Sequence, residues 1–138
     1  MIEALALAKH FKQLEAVKNV TFRAQAGEVF GLLGPNGAGK TTTLRMLATV
    51  IAPSSGTATI SGYDIRTQKN AVRSHLGILV ESAGLYPHST AREHLRYVGN
   101  LHGLDGSDLE RHIDALIDLL DMRDFADRRA QNFSRGMI

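Results

Sequence analysis

Apolar and polar residues alternate over the first third of the chain as they do in half-buried strands. "IEALAL" begins at Ile2, and "NVTFRAQ" begins at Asn19 with Val20, Phe22 and Ala24 on one face. Successive strand side chains point to opposite faces, so this period of two predicts two strands, separated by Gln13 to Lys18. The pattern then changes. "EVFGLL", Glu28 to Leu33, has an unbroken apolar core, the form expected of a strand buried on both faces in a parallel sheet. A glycine-rich turn from Gly34 to Gly39 follows, and Leu44, Leu47 and Ala48 recur at helical spacing. Next, "APSSG" predicts the turn ending that helix, "TATI" a short strand and "SGYD" another turn. A short helix near Gln68 to Ser74 and a second buried-type strand, "GILV", complete a sheet-rich half.

The second half reads as helix. Thr90 with Glu93, and Ser107 with Glu110, both fit the capping box, in which a hydroxyl and a carboxylate each satisfy an orphan backbone group at a helix start. Ile113, Leu116, Ile117 and Leu120 then repeat at helical intervals, which leaves Asp114, Asp118 and Asp121 as a solvated face. In the closing "NFSRGMI", Asn132 and Ser134 are helix-opening residue types with almost no helix after them. The chain therefore divides near Gly84, into a sheet core over 1–84 and a helical part over 85–138, with no internal repeat or low-complexity linker.

Composition narrows the picture. A length of 138 residues, 43% of them hydrophobic, suits one domain with a modest core. The absence of cysteine excludes disulfides and thiolate metal sites, and fits a reducing compartment. Net charge is +2, and Arg128, Arg129 and Arg135 make the nearest approach to a basic patch, so no nucleic-acid partner is expected. The six histidines, His10, His75, His88, His94, His102 and His112, form no pair at metal-ligand spacing and read as solvated or locally bonded. "MIEALALAKHF" carries Glu3 early and meets Lys9 after a short apolar run, so it reads as neither a signal nor a membrane span.

The chemistry lies in Gly34-Pro35-Asn36-Gly37-Ala38-Gly39-Lys40-Thr41, a full match to G-x-x-x-x-G-K-[ST] between a predicted strand and a predicted helix. Glycines let the backbone curl so that successive N–H groups face a phosphate, and the helix N-terminus adds partial positive charge. Lys40 is expected to reach the β and γ phosphates, the Thr41 hydroxyl to ligate Mg²⁺, and Thr42 to bond the α-phosphate side. A loop that merely turned a corner would leave the lysine and paired threonines without a purpose. A nucleoside triphosphate with Mg²⁺ is the expected ligand.

With its flanks, "GEVFGLLGPNGAGKTTTLRML" resembles the ATP-binding subunits of ABC transporters. "APSSGTATISGYDI" resembles the segment that follows their first helix, "ESAGLYPHSTAREHL" their Q-loop and entry to the helical subdomain, and "FSRGM" a variant of their LSGGQ signature. The likeness runs over essentially the whole chain in the family's order. It implies an α/β phosphate-loop fold of ABC ATPase type, with an antiparallel β part, a phosphate-loop core and a helical subdomain. Two departures, Glu81 at the Q-loop glutamine and Arg135 with Met137 in the signature, are similar to the Nat-type sodium-export branch.

By the same resemblance Phe11 falls where an aromatic ring stacks on adenine, although core packing would also explain it. Ser134, Arg135 and Gly136 would contact ATP held by an opposite subunit, or Ser134 is simply a helix cap. Glu81 is either a weak Mg²⁺ ligand or a solvated loop carboxylate. The family's catalytic Asp-Glu strand has no counterpart before Ile138, so no catalytic residue is assigned. The chain reads as the front part of an exporter's ATP-binding subunit, binding ATP without hydrolysing it. Its implied partners are a second such subunit and a transmembrane permease, which would hold it at the cytoplasmic face without direct membrane insertion. Two alternatives stay open: a compact phosphate-loop NTPase using Glu81, and a non-catalytic nucleotide-binding module or remnant.

Overall fold

The computed structural model describes residues 1–79 and 84–134. Its backbone forms two compact units, Met1–Ile78 and Leu79–Ile138, each with its own core. The first is built on a hairpin of β1 (Ile2–Phe11) and β2 (Leu14–Ala24), joined by a two-residue turn in which Lys12 takes φ 54, a sign that tight hairpins favour. The second strand thus starts at Leu14, earlier than alternation alone predicts. Residues 14–18 lack a clean period of two, but Leu14 and Glu15 pair with Phe11 and His10, and Val17 is buried. Strands β3 (Ser55–Ile60) and β4 (Tyr63–Asp64) complete an antiparallel sheet of order β2-β1-β3-β4. Helices α1 (Lys40–Leu47) and α2 (Lys69–Ser74) supply Met46, Leu47 and Val72 to a core with Ala4, Leu7, Val17, Ala58, Ile60 and Ile65.

Strict alternation would put Ala4, Ala6 and Ala8 of β1 on the core face and Leu7 outside. Instead Ala6 takes φ 50, its N–H donates to Thr21 Oγ1 at 2.9 Å, and the register shifts on both sides of it. This bulge turns Leu7 inward to full burial while Leu5 stays exposed. Gly56 of β3 makes the bulge possible, because a Cβ there would lie 2.1 Å from the Ala6 carbonyl oxygen.

Two expected strands are absent as such. Residues 28–33 run without a ladder partner among the described residues, with Val29 99% and Leu33 92% exposed, although Phe30 stacks on Phe22 at 4.8 Å. A doubly buried strand needs hydrogen-bonded neighbours at both edges and cover on both faces, and every described ladder is antiparallel and lies elsewhere. The described part of "GILV", 77–79, is likewise unpaired, with Ile78 and Leu79 exposed; Val80 lies outside the described residues.

Asp64 fastens β4 to the start of α2. Its carboxylate accepts from Thr57 Oγ1 at 2.6 Å, from the N–H groups of Arg66 and Thr67, and from Thr67 Oγ1. The Thr57 hydroxyl bond, aided by those N–H groups, holds its pKa below the ordinary carboxylate value against the opposing effect of burial. A carboxylate depressed in the folded state stabilises the fold above its unfolded pKa and loses that contribution as pH falls through the lower, folded value. Asp64→Asn is therefore expected to lower the urea midpoint at pH 7 and to reduce the loss of stability on acidification below about pH 4. Parallel urea titrations of both proteins at pH 7 and pH 3 check this, and equal acid losses would contradict it.

In the second unit, α3 (Ala91–Leu101) begins with the expected capping box: Thr90 Oγ1 accepts the Glu93 N–H at 3.1 Å and Glu93 Oε2 accepts the Thr90 N–H at 2.9 Å. The other expected box does not form. Helix α4 (Gly106–Leu119) has Asp105 at its N-cap position, without a side-chain cap bond, which leaves Ser107 inside the first turn. Glu110 is drawn away from a capping role by Arg96, whose Nε and Nη2 donate to its two carboxylate oxygens at 2.6 and 2.9 Å. That pair lowers the Glu110 pKa, but its exposure keeps its effect on stability small. Leu109, Ile113, Ile117 and Ala126 form the core, and Gly99 lets α3 approach so closely that a Cβ would meet Leu109 Cδ1 at 2.3 Å. Asp114 and Asp118 are exposed and paired with Arg92 and Arg123, and Asp121 follows the helix at φ 53. Asn132 closes a 3₁₀ turn, Ala130–Asn132, so it ends a short element where the sequence suggested a helix start.

Candidate functional site

Residues 34–43 fold through local bonds. The Ala38 N–H donates to the Pro35 carbonyl at 3.2 Å, closing a four-residue turn whose third residue, Gly37, takes φ 83. Gly39 follows at φ 87 and ψ 4, and its carbonyl accepts from both the N–H and the hydroxyl of Thr43, at 2.8 and 3.0 Å, as α1 starts. Gly39 has a second, nonlocal role. A Cβ there would lie 2.3 Å from the Ala16 carbonyl oxygen and 3.0 Å from Val17 Cγ2, so only glycine lets the loop sit on β2.

The result is a concentration of unanswered donors. Among the described residues the N–H groups of Gly37, Gly39, Lys40, Thr41 and Thr42 have no protein acceptor. No acidic residue occupies the first turn of α1, so nothing on the helix offsets the positive end of its dipole. Lys40 turns back over the loop, its Nζ donating to the carbonyls of Gly34 at 2.5 Å and Pro35 at 2.7 Å. Thr41 is exposed and Thr42 half-buried at the head of the helix. This donor set fits a phosphate chain: backbone N–H groups and an ammonium for the oxygens, with the Thr41 hydroxyl available to a divalent cation. Among the described residues there is no group of three His, Cys, Asp or Glu side chains that could hold a metal by itself. A cavity of about 370 Å³ in the same unit is lined by Met1, Phe22, Phe30, Leu32, Leu44 and Leu47, and by no residue of the loop. Phosphate recognition uses exposed N–H groups rather than apolar enclosure, so the loop, not that cavity, is the candidate site.

Phe11 ends β1 opposite Leu14 and is 46% exposed, so it is not one of the buried core residues. Lys9 Nζ stands 5.1 Å from the ring centroid and donates to the Ala52 carbonyl at 2.7 Å. Residues two apart on a strand share a face, which places Lys9 beside Phe11. Ser134 lies exposed after the 3₁₀ turn and its extended C-cap Phe133, in the other unit. Glu81, Arg135 and Gly136 lie outside the described residues.

Comparison with known proteins agrees with this geometry. The family model described as "ABC transporter" matches residues 17–138. The chain is 42% identical over 127 residues to the ABC transporter ATP-binding protein NatA of Bacillus subtilis (strain 168), covering 91% of this chain and 52% of NatA. It superposes on a solved ATP-binding subunit of an ABC transporter with TM-score 0.81 and 29% identity, over 99% of this chain and 57% of the other. A dimeric post-hydrolysis state of the ATP-binding cassette MJ0796, bound to ADP and Pi, shares the fold with TM-score 0.82 at 21% identity, over 65% of that chain. The chain thus spans about half the length of the curated relative it matches.

Proposed function

The chain belongs to the ABC transporter family of ATP-binding subunits, and from that premise we propose that it binds Mg²⁺-ATP through residues 34–42 as part of an exporter's engine. The observation that carries this reading is the set of orphan N–H groups at the head of α1 beside Lys40. Gly34 to Gly39 wrap the phosphates, Lys40 neutralises β and γ oxygens, Thr41 ligates Mg²⁺, Thr42 bonds the α-phosphate, and Phe11 takes the adenine ring. Glu81 is a weak second Mg²⁺ ligand. Residues 1–84 form the phosphate-loop core and 85–138 the helical subdomain that ends in the signature.

Assembly and transport follow from family membership and belong to the whole protein. Ser134, Arg135 and Gly136 face ATP held by a second subunit, a reading supported by the dimeric cassette of the same fold. A transmembrane permease holds the pair at the cytoplasmic face of the membrane and is driven by ATP binding and hydrolysis. Sodium export is the finer reading, supported by the Nat-like departures at Glu81 and in the signature. The compact-NTPase alternative loses ground because the family match spans "GLYPHSTAREHL" and "NFSRGM", which that reading left unused.

Titration calorimetry of the chain tests the core of the proposal. Saturable one-to-one binding of ATP that tightens with Mg²⁺ is expected, together with no sustained phosphate release, since no carboxylate that polarises water is assigned. Failure to bind any nucleoside triphosphate would refute the proposal, and steady turnover would refute the binding-only part of it.

A further inference from the structure

The phosphate loop accounts for one end of a nucleotide; the geometry around Phe11 bears on the other. Three hydrogen bonds fasten the end of β1 to the segment before β3: Ser54 N–H to the Ala8 carbonyl at 2.9 Å, His10 N–H to Ser54 Oγ at 3.0 Å, and Lys9 Nζ to the Ala52 carbonyl at 2.7 Å. Lys9 is thereby held with its ammonium 5.1 Å from the Phe11 centroid, within the range of a cation–π contact. Phe11 as a whole remains 46% exposed. It also stands near the loop, because Gly39 rests on Ala16 and Val17, Val17 pairs with Lys9, and Phe11 pairs with Leu14.

We propose that Lys9 is a positioning residue for the nucleotide base: its ammonium fixes the Phe11 ring from one side, so that the ring offers its exposed surface to a purine. The inference rests on the proposed stacking role of Phe11. Two physical effects act together. An anchored ring loses less conformational freedom when the base arrives. A cation over one face also draws electron density from the ring, which favours an electron-rich purine stacked on the opposite face. His10 Nε2 and Glu15 Oε1 lie 3.3 Å apart across the hairpin, at the pair of positions next to Phe11 and Leu14.

The test compares ATP with inorganic tripolyphosphate, which has the phosphates but no base, both with Mg²⁺ and on the whole chain. Lys9→Met keeps the side chain up to its fourth heavy atom and removes the ammonium. It is expected to weaken ATP binding about threefold, the exposed-site value of a cation–π contact, and to leave tripolyphosphate affinity as it was. Lys9→Arg, which can stack and carry charge, is expected to restore ATP affinity. A purely structural role for Lys9, through its bond to Ala52, predicts equal losses for both ligands and would overturn the inference. Phe11→Ala separates the layers of the argument. If it weakens ATP binding selectively while Lys9→Met does not, the Lys9 inference fails and stacking stands. If neither variant changes the ATP-to-tripolyphosphate ratio, both fail, as they also do if the unsubstituted chain binds neither ligand.

Discussion

Lys40→Ala is expected to remove most of the thermal stabilisation that Mg²⁺-ATP confers on this chain. A ligand that binds only the folded state, present at a hundredfold excess over its dissociation constant, adds about 2.7 kcal/mol of stability. Lys40 supplies the single side-chain cation on the loop, and its Nζ already forms two close contacts there, with the carbonyls of Gly34 and Pro35. Entry of a phosphate exchanges these neutral acceptors for an anionic one, a change worth about 1.5–3 kcal/mol per hydrogen bond to a charged group. Losing it weakens binding by up to about a hundredfold, which at the same ATP concentration leaves roughly 0.4 kcal/mol of stabilisation. The substitution touches no core residue, so the ligand-free protein should keep its circular dichroism spectrum. Melting curves of both proteins with and without Mg²⁺-ATP decide the matter, and equal shifts would move the binding site away from the loop.

Gly56→Ala is expected to be the most damaging single methyl group in the first unit. The added Cβ would fall 2.1 Å from the Ala6 carbonyl oxygen, 2.4 Å from its carbon and 2.6 Å from the Leu5 oxygen. All three are backbone atoms, which cannot swing aside as the tip of a long side chain can. Gly56 also takes φ 71, where any L residue is strained. Relief would require undoing the bulge that turns Leu7 inward, and with it the β1–β3 ladder that holds Ala58 and Ile60 in the core. The cost should be at least about 3 kcal/mol. Gly62→Ala is the control. It has φ 85 with nothing within 4 Å of its Cβ position, so it should cost only the conformational penalty of about 1–2 kcal/mol. Urea unfolding of the two variants isolates the contact, and similar midpoints would show that backbone conformation alone explains Gly56.

Those parts of the protein whose partners lie within a few residues of one another are legible along the chain. In the phosphate loop, Gly37 and Gly39 supply the positive φ values and Lys40 to Thr42 the helix start, so motif and geometry are nearly the same statement. The Thr90–Glu93 capping box is local in the same way, and the alternation of Val20, Phe22 and Ala24 carries its own face assignment. Tertiary structure decided whatever depends on a distant partner. "EVFGLL" has the composition of a buried strand, yet a strand is defined by the neighbour that accepts its hydrogen bonds, and composition does not say which segment that is. Ser107 and Glu110 match a capping pattern, but Arg96 on another helix competes for the carboxylate and wins with two charged hydrogen bonds. The inward turn of Leu7 depends on Gly56 of another strand, and the seat of the phosphate loop depends on the backbone of Ala16. Local conformational preference can be read along a chain, whereas the atoms that would clash with an added Cβ become neighbours only once the chain has folded.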